Sequence, residues 1–478
     1  YFNQTPVNGG GGSGQTAPLL DFATPEQEKR KKEADAAHDA LVKKIKPIEE
    51  KLREEGRVKN KEGKYETALP ALIESALRKG PGDRADQNYD ELAKHYKDKP
   101  EYVKLLADVR KAKQARDAAS AAVAKVMVMD DLPTPRDTFI LTRGTYDKLE
   151  TKVAPGTPAS LHPLPKDAPA NRLALANWIV APENPLTARV AANRLWQMFF
   201  GNGLVKTVDD FGVQGERPSH PELLDWLATE YQSKWDTKHI IRLIVTSATY
   251  RQSAKVTPEL LARDPDNRLL ARGPRSRMPS WMLRDQALAA SGLMTPTMGG
   301  PPVKTYQPPG IWEEATFGNK RYQQDKGEAL YRRSLYVFWR RIIGPTMFFD
   351  VANRQTCSVK TTTTNTPLHA LVTLNETTFV EAARTLAQAA MEKHQGEAER
   401  LAFAFQRTVS RSPSAAELTL LKGALAKQRA MFTKDKDAVE KLLKVGDSPR
   451  NAKLDTIEHA ALTSVCLTLL NLDEALNK

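Results

Sequence analysis

Apolar residues recur at intervals of three and four along much of the chain, which is the spacing of an α-helix with one buried face. Within residues 25–130 this pattern forms two seams, separated by shorter helical patches. The first seam comprises Leu41, Ile45, Ile48 and Leu52, and the second comprises Tyr102, Leu105, Val109, Ala112, Ala119, Val123 and Val126. We predict an antiparallel helical hairpin or coiled-coil spacer, whose alternating charges favour a docking role over catalysis.

The first arm of this hairpin has clear signals for a helix start. Thr24 can cap the helix, Pro25 suits its first position, and Gln27 can complete a capping box. Pro47 lies inside the same seam, where a proline costs about 3 kcal/mol. We therefore expect a kink or a break in the helix at Pro47.

Residues 131–167 have a different texture. The run DTFILTR at 137–143 is rich in residues that favour β-strands and ends at Gly144. Prolines and a glycine then interrupt the chain at positions 155, 156, 158, 163 and 165. This segment predicts a short β element followed by a Pro-rich connector.

Residues 168–478 return to helical spacing for most of their length. Residues 219–222, Ser-His-Pro-Glu, predict a capping box, and Asp236 can cap the helix that follows. The stretches 299–302 and 307–310 form an excursion rich in proline and glycine. The predicted fold class is mainly α, with a helical hairpin spacer, a short β connector and a large multi-helix C-terminal domain.

Charge changes this picture because it is unevenly distributed. The chain of 478 residues has 71 Lys and Arg against 58 Asp and Glu, a net charge of +13. Residues 151–478 carry +11 of this excess. Such a balance suits a nucleic acid, an acidic polysaccharide or an anionic membrane surface, although a basic surface can also serve solubility alone. No apolar run approaches the roughly 18 residues of a membrane span, so no transmembrane segment is predicted.

The sequence lacks the common catalytic and phosphate-binding motifs. The chain has no GxxxxGK[ST] phosphate loop, no GxSxG elbow and no HExxH helix, and its 8 histidines are scattered. No metal site is predicted. With 2 cysteines and no CxxCH, the chain excludes a disulfide scaffold and a haem attachment of its own. Cys357 lies between cationic residues that can activate a thiol, whereas Cys466 fits a buried apolar helix.

The densest polar segment suggests candidate catalytic residues. Arg194, Asp209, Asp210 and His220 combine carboxylates with an imidazole, as general acid–base chemistry requires. The same residues also suit turns, an arginine pair and a helix start. Both interpretations stay open at this stage.

Arginines beside aromatic residues suggest an anion site. Their planar guanidinium groups bind sulfate, phosphate and carboxylate in a bidentate manner. The candidate anion-binding residues are Arg268, Arg272, Arg284, Arg333 and Arg340. Buried Arg–Asp pairs that join helices explain the same residues equally well.

Six segments together resemble one known domain. They are NRLALANW and its continuation over 171–231, LIVTSATYRQS (243–253), DPDNRLLARGPR (264–275), RRSLYVFWRR (332–341), TNTPLHALVTLN (364–375) and LLNLDEAL (469–476). These resemble the planctomycete PSD domain, a domain of unknown function found C-terminal to planctomycete-type cytochrome c modules. The resemblance covers residues 168–478. Residues 361–364 and 278–282 depart from the family pattern, and the first departure weakens an extended anion site there.

The resemblance also implies a cellular context. Residues 1–24 look like the tail of a cytochrome-associated domain, so c-type haem is expected in missing upstream modules and no cofactor in this chain. Those cytochrome c modules become the expected partners, and the location becomes exported, periplasmic or cell-envelope. The family supplies no catalytic residues.

Together these observations favour a substrate-facing or accessory module of an exported cytochrome-c-linked redox protein, acting on or binding acidic or sulfated polysaccharide. Whether the chain is an enzyme stays open. A non-catalytic scaffold or anionic-glycan-binding domain is one alternative. Nucleic-acid binding through the basic region is a second, disfavoured because no nucleic-acid-binding motif accompanies the charge.

Overall fold

The computed structural model describes residues 1–6, 17–59, 64–340, 343–352, 357–360 and 363–477. It is 53% helical and contains only short strand pairs, so the predicted mainly α class is confirmed. The chain divides into two compact units: unit 1 is Tyr1–Asn177 and unit 2 is Trp178–Lys478. The glycine-rich stretch 9–14 lies outside the described residues.

Unit 1 is built on an antiparallel helical hairpin. Its helices are α1 (Pro25–Glu55), α2 (Ala71–Arg78), α3 (Asp86–His95) and α4 (Pro100–Ala121). The side chain of Gln27 donates to the carbonyl of Ala122 at 2.9 Å, while Lys99 pairs with Glu55 at 2.9 Å, so the two ends of α1 and α4 meet in opposite order. Ile45, Leu92, Leu106 and Val109 form part of the core between the helices.

Local signals in α1 account for its start but not for its length. The predicted capping box between Thr24 and Gln27 is present in both directions. The helix continues through Pro47, so no break occurs there. Beyond this proline, Glu49 holds the buried guanidinium of Arg84 with oxygen–nitrogen distances of 2.6 and 2.9 Å. This ion pair and the buried face around it secure the helix on both sides of the proline.

Where the structure describes unit 1, its strands form three antiparallel ribbons. They are β1 (Leu19–Phe22), β2 (Arg57–Lys59), β3 (Tyr65–Thr67), β4 (Ala124–Met127), β5 (Thr138–Leu141) and β6 (Leu149–Val153). The pairs are β1 with β4, β2 with β3, and β5 with β6. The predicted β element is β5, whose register with β6 shifts between Phe139 and Leu141.

Unit 2 is an assembly of helices. Helix α5 (Arg172–Ile179) spans the boundary between the units. It is followed by α6 (Thr187–Phe200), α7 (Pro221–Lys234), α8 (Thr237–Thr246), α9 (Pro258–Arg263), α10 (Ser280–Ser291), α11 (Ile311–Ala315), α12 (Pro367–Asn375), α13 (Thr377–Lys393), α14 (Glu397–Val409), α15 (Ala415–Lys434), α16 (Lys436–Leu443), α17 (Thr456–Leu470) and α18 (Asp473–Leu476).

Helix α13 lies at the centre of unit 2. It packs against α10, α14 and α17, and most of its residues from Thr378 to Met391 are buried. Ala382, Ala383 and Ala387 have no exposed surface, and such small side chains let neighbouring helices approach closely. A helix that is buried on nearly all sides has no solvated face, so any charged residue on it needs a partner inside the protein.

Two predicted helix starts have different outcomes. The side chain of Asp236 accepts a hydrogen bond from the amide of His239 at 3.1 Å, so this cap is confirmed. The capping box at 219–222 is wrong, because α7 starts from His220 without a side-chain cap. Pro221 occupies the first helical position and thereby makes His220, rather than Ser219, the N-cap.

Among the described residues, no helix is both long and apolar enough to cross a membrane. Cys357 is an exposed free thiol, and Cys466 is a free thiol buried in α17. The predicted burial of Cys466 is confirmed, and burial raises the pKa of its thiol.

Candidate functional site

The four candidate catalytic residues take separate places on unit 2. Asp210 accepts a hydrogen bond from the amide of Gly212 at 2.7 Å and so forms a turn. His220 occupies the N-cap position of α7 without capping it through its side chain, and its Nδ1 lies 3.0 Å from the hydroxyl of Ser219. Arg194 and Asp209 are exposed. Within the described part of the chain none of the four side chains hydrogen-bonds to another, and their catalytic role stays a prediction.

Three of the candidate anion-binding arginines fasten loops to the protein. Arg268 donates to the carbonyl of Gly203 at 2.7 Å, and Arg272 donates to that of Pro265 at 2.8 Å. Arg284 is fully buried and donates to the carbonyls of Leu330 and Arg332 at 2.7 and 2.8 Å. Burial lowers the pKa of the Arg284 guanidinium. These contacts are structural ones.

The other two arginines are more accessible. Arg333 lies 3.8 Å from Asp285, and Arg340 lies 5.9 Å from the ring of Trp312. Neither contact uses the whole guanidinium, so anion binding at these residues stays a prediction. Arg341, which the sequence pairs with Arg340, and Arg354, which precedes Cys357, lie outside the described residues.

A buried carboxylate forms the polar centre of unit 2. Glu381 on α13 has 0% exposed surface. Its two oxygens accept hydrogen bonds from the hydroxyls of Tyr306 and Tyr331, at 2.9 and 2.8 Å, and from the amide of Ser448 at 2.6 Å. Burial raises the pKa of both tyrosine hydroxyls, which keeps them protonated as donors.

Arg384, one turn along α13, completes this centre. Its guanidinium lies 3.7 Å from the carboxylate of Glu381 and donates to the carbonyls of Val445 and Ser448 at 3.2 and 2.7 Å. Both carbonyls belong to the connector between α16 and α17, residues 444–455. The buried ion pair therefore fastens this connector to α13.

Gly446 lets the connector approach the carboxylate. Its backbone is left-handed, with φ of +84°, and a Cβ there would lie 2.2 Å from the Cδ of Glu381. Any larger residue would have to displace either the connector or the buried carboxylate. The burial of Glu381 at this distance from the connector therefore requires a glycine at position 446.

His459 links the polar centre to the surface. It has 0% exposed surface, and its Nε2 lies 2.9 Å from the carbonyl of Arg384, so this nitrogen carries the proton. Its Nδ1 then accepts from Nε of Arg450 at 3.3 Å. Burial lowers the pKa of His459 to about 4, which keeps the imidazole neutral and able to accept this hydrogen bond at pH 7.

Arg450 faces a groove of about 500 Å³ between α16 and α17. Its Nη2 donates to the carbonyl of Leu454 at 2.6 Å, so two of its nitrogens are fixed by hydrogen bonds within the protein. Nη1 has no partner among the residues that the structure describes. The groove is lined by Lys436, Val439, Glu440, Leu443, Lys444, Arg450, Thr456 and Ile457.

The groove combines an aliphatic floor with a cationic rim. Val439 and Leu443 are buried and form one face of α16, while Lys436 and Lys444 lie on its exposed side. Lys444 pairs with Glu440 at 3.0 Å. Three cations and one carboxylate therefore surround an apolar surface, an arrangement that can bind an anion carried on a larger body.

The described residues include no group of three His, Cys, Asp or Glu side chains arranged to hold a metal ion. The groove offers binding groups instead: one positioned guanidinium, two ammonium groups and the hydroxyl of Thr456. We name it the Arg450 groove.

Sequence reasoning missed the Arg450 groove because its parts are far apart in the chain. Tyr306, Tyr331, Glu381, Arg450 and His459 show no local pattern. One signal was present: Glu381 and Arg384 stand three residues apart in a stretch whose immediate neighbours are mostly apolar, VEAARTLA. An opposite-charge pair at this spacing among apolar residues indicates a buried ion pair.

These features define a two-unit, mainly helical protein whose larger unit encloses a buried ion pair and carries a groove with a cationic rim. A sequence model of the PSD1 family, described as a protein of unknown function (DUF1553), matches residues 171–425. Because the match covers more than half of the chain, the chain belongs to this family. Helix α13 lies within the match, and α16 and α17 follow it. No curated protein and no solved structure matches the chain.

Replacing Gly446→Ala is expected to lower the free energy of unfolding of unit 2 by at least about 2 kcal/mol, because the left-handed backbone and the contact with Glu381 both oppose a side chain. Gly423→Ala in α15 is the matched control: nothing lies within 4 Å of its Cβ position. That change should stabilise by about 0.5–1 kcal/mol. Urea denaturation measures both. Equal effects of the two changes would contradict the requirement for glycine at position 446.

The stability of unit 2 is expected to depend on His459 between pH 6.5 and pH 4. In this window the unfolded chain binds a proton that the folded chain excludes, because burial lowers the pKa from 6.5 to about 4. The free energy of unfolding therefore falls as the pH falls, by about 3 kcal/mol over the window from this group. A His459→Gln variant should show a shallower pH dependence in urea denaturation. A slope identical to that of the parent protein would refute the assignment.

Proposed function

We propose that this chain is a substrate-facing, accessory module of an exported cytochrome-c-linked redox protein, and that it binds acidic or sulfated polysaccharide through the Arg450 groove. The observation that carries the proposal is the position of Arg450. Its guanidinium is held by His459 and by the carbonyl of Leu454, and the residue lines an open groove.

Pre-positioning matters because ordering an arginine side chain on binding costs free energy. A guanidinium that the protein already holds loses less conformational entropy when an anion arrives. Its planar fork matches the spacing of sulfate and carboxylate oxygens. Lys436, without the rigid geometry, adds long-range attraction for the same charge.

The size and floor of the groove favour a ligand larger than a free ion. A volume of about 500 Å³ accommodates a sugar unit with its charged substituent. Leu443 and Ile457 give the floor an aliphatic surface that can cover the less polar face of such a unit. A single inorganic ion would leave this floor in contact with water.

The cytochrome part of the proposal places the haem outside these residues. Cys466 is buried in α17 and Cys357 is exposed, so the two thiols are not arranged as a haem attachment. The expected c-type haem would belong to other modules of the polypeptide, and this chain would supply binding of the substrate. An envelope location follows from the same family setting.

A non-catalytic glycan-binding scaffold is the second candidate. It is favoured by Arg268, Arg272 and Arg284, whose guanidinium groups donate hydrogen bonds to backbone carbonyls and do not converge on a shared pocket. The two candidates share the Arg450 groove and differ in whether a reaction follows binding. Binding of nucleic acid to the basic C-terminal region is a third possibility, which the binding experiment distinguishes from glycan binding.

Replacing Arg450→Ala is expected to weaken binding of a sulfated oligosaccharide by about 10- to 100-fold, the range for a lost charge-assisted hydrogen bond. Isothermal titration calorimetry at fixed salt measures the affinity, and an uncharged oligosaccharide of the same length should not bind. Lys427→Ala on α15 removes one exposed charge outside the groove and serves as the matched control.

Three results would contradict the proposal: equal affinities for the two variants, equal binding of the uncharged oligosaccharide, or tighter binding of duplex DNA than of the sulfated chain. Thermal unfolding by circular dichroism checks that the Arg450→Ala protein is folded. Arg450→Lys keeps the charge and should recover only part of the affinity, because an ammonium group lacks the bidentate fork.

A further inference from the structure

Unit 1 contains a second cluster of arginines. Arg53 in the last turn of α1, Arg57 on β2 and Arg78 in the last turn of α2 line a cavity of about 360 Å³. Pairing of β2 with β3 brings Arg57 opposite Thr67, which also lines the cavity. Three separate elements thus supply one guanidinium group each.

The carboxylates at this cavity leave two of the arginines unpaired. Glu74 accepts from Nε of Arg78 at 2.8 Å and from the hydroxyl of Thr67 at 2.9 Å. Among the described residues, neither Arg53 nor Arg57 has a carboxylate within ion-pair distance, although both line the cavity. Arg84 in the same unit, by contrast, is paired with Glu49 through two nitrogens.

A guanidinium that lines a cavity without a carboxylate partner is a reason to expect an anionic ligand. An incoming oxyanion can accept charge-assisted hydrogen bonds from such a group. Glu66 also lines the cavity, so the lining holds three arginines and two carboxylates. The cavity is net cationic, and Arg53 and Arg57 are the two arginines that do not hydrogen-bond to Glu74.

An aromatic ring borders the same cavity. Tyr65 lines it with 65% of its surface exposed, and the ammonium of Lys59 lies 5.3 Å from the ring centroid. An exposed tyrosine ring presents a flat apolar face, with a hydroxyl at its edge. A flat face beside guanidinium groups suits a sugar ring that carries an anionic substituent.

We propose that this cavity binds a sugar unit bearing a sulfate or phosphate group, with the oxyanion between Arg53 and Arg57 and the ring against Tyr65. The shared chemistry is a tetrahedral oxyanion on a sugar. This site does not depend on the Arg450 groove, because its residues all belong to unit 1.

Isothermal titration calorimetry with the full chain tests the proposal, using glucose 6-sulfate, glucose 6-phosphate and glucose as probes. One or both anionic sugars should bind saturably, and glucose should not. Arg57→Ala and Tyr65→Ala should each weaken this binding at least tenfold. Arg30→Ala, an exposed arginine on α1, is the matched control and should leave it unchanged.

Arg450→Ala separates this proposal from the preceding one. If binding of the anionic monosaccharide persists in that variant but is lost in Arg57→Ala, the unit 1 site is supported even if the Arg450 groove binds nothing. The proposal is overturned if neither anionic sugar binds saturably at millimolar concentration, if glucose binds equally well, or if Arg57→Ala and Arg30→Ala have the same effect. Arg57 is exposed on a ribbon, so its replacement should leave the fold intact.

Discussion

Glu381 lies without solvent exposure in the centre of unit 2, and its carboxylate is satisfied by Tyr306, Tyr331, the amide of Ser448 and the nearby guanidinium of Arg384. A buried ion costs several kcal/mol unless its charge and its hydrogen bonds are met. The partners come from three stretches of chain that are far apart in sequence. Burial of this one charge therefore constrains where α13, the excursion around Tyr306 and the α16–α17 connector lie.

The same constraint reaches the surface through a short series of contacts. The guanidinium of Arg384 donates hydrogen bonds to the connector, and the backbone carbonyl of Arg384 accepts one from His459. His459 in turn accepts a hydrogen bond from Arg450 and so positions it. A surface arginine on a helix samples many rotamers, whereas this one is held by groups that cannot move without disturbing the core. The position of Arg450 in the groove is thus linked to the packing of α13.

Helical periodicity predicted the fold class, and the caps at Thr24 and Asp236 were found from local letters, because both depend on residues within one turn. Of the predicted kink or break at Pro47, the break does not occur, because tertiary contacts around Glu49 outweigh the local penalty of the proline. Asp210 and His220 were candidates because polar residues are dense around them in the sequence. In the structure Asp210 forms a turn and His220 begins a helix, which explains their presence. The Arg450 groove needs residues more than 60 positions apart in the chain, as from Arg384 to Arg450, and no local pattern encodes that distance.

Amide hydrogen exchange at Ser448 tests the central claim most directly, because this amide donates to Glu381 from within a connector that has no regular secondary structure. If the buried carboxylate organises unit 2, this amide will exchange only through unfolding of the whole unit, as slowly as the amides of α13. Exchange at the rate of an unprotected loop would show that the connector detaches by itself, and the link between Glu381 and the Arg450 groove would be wrong.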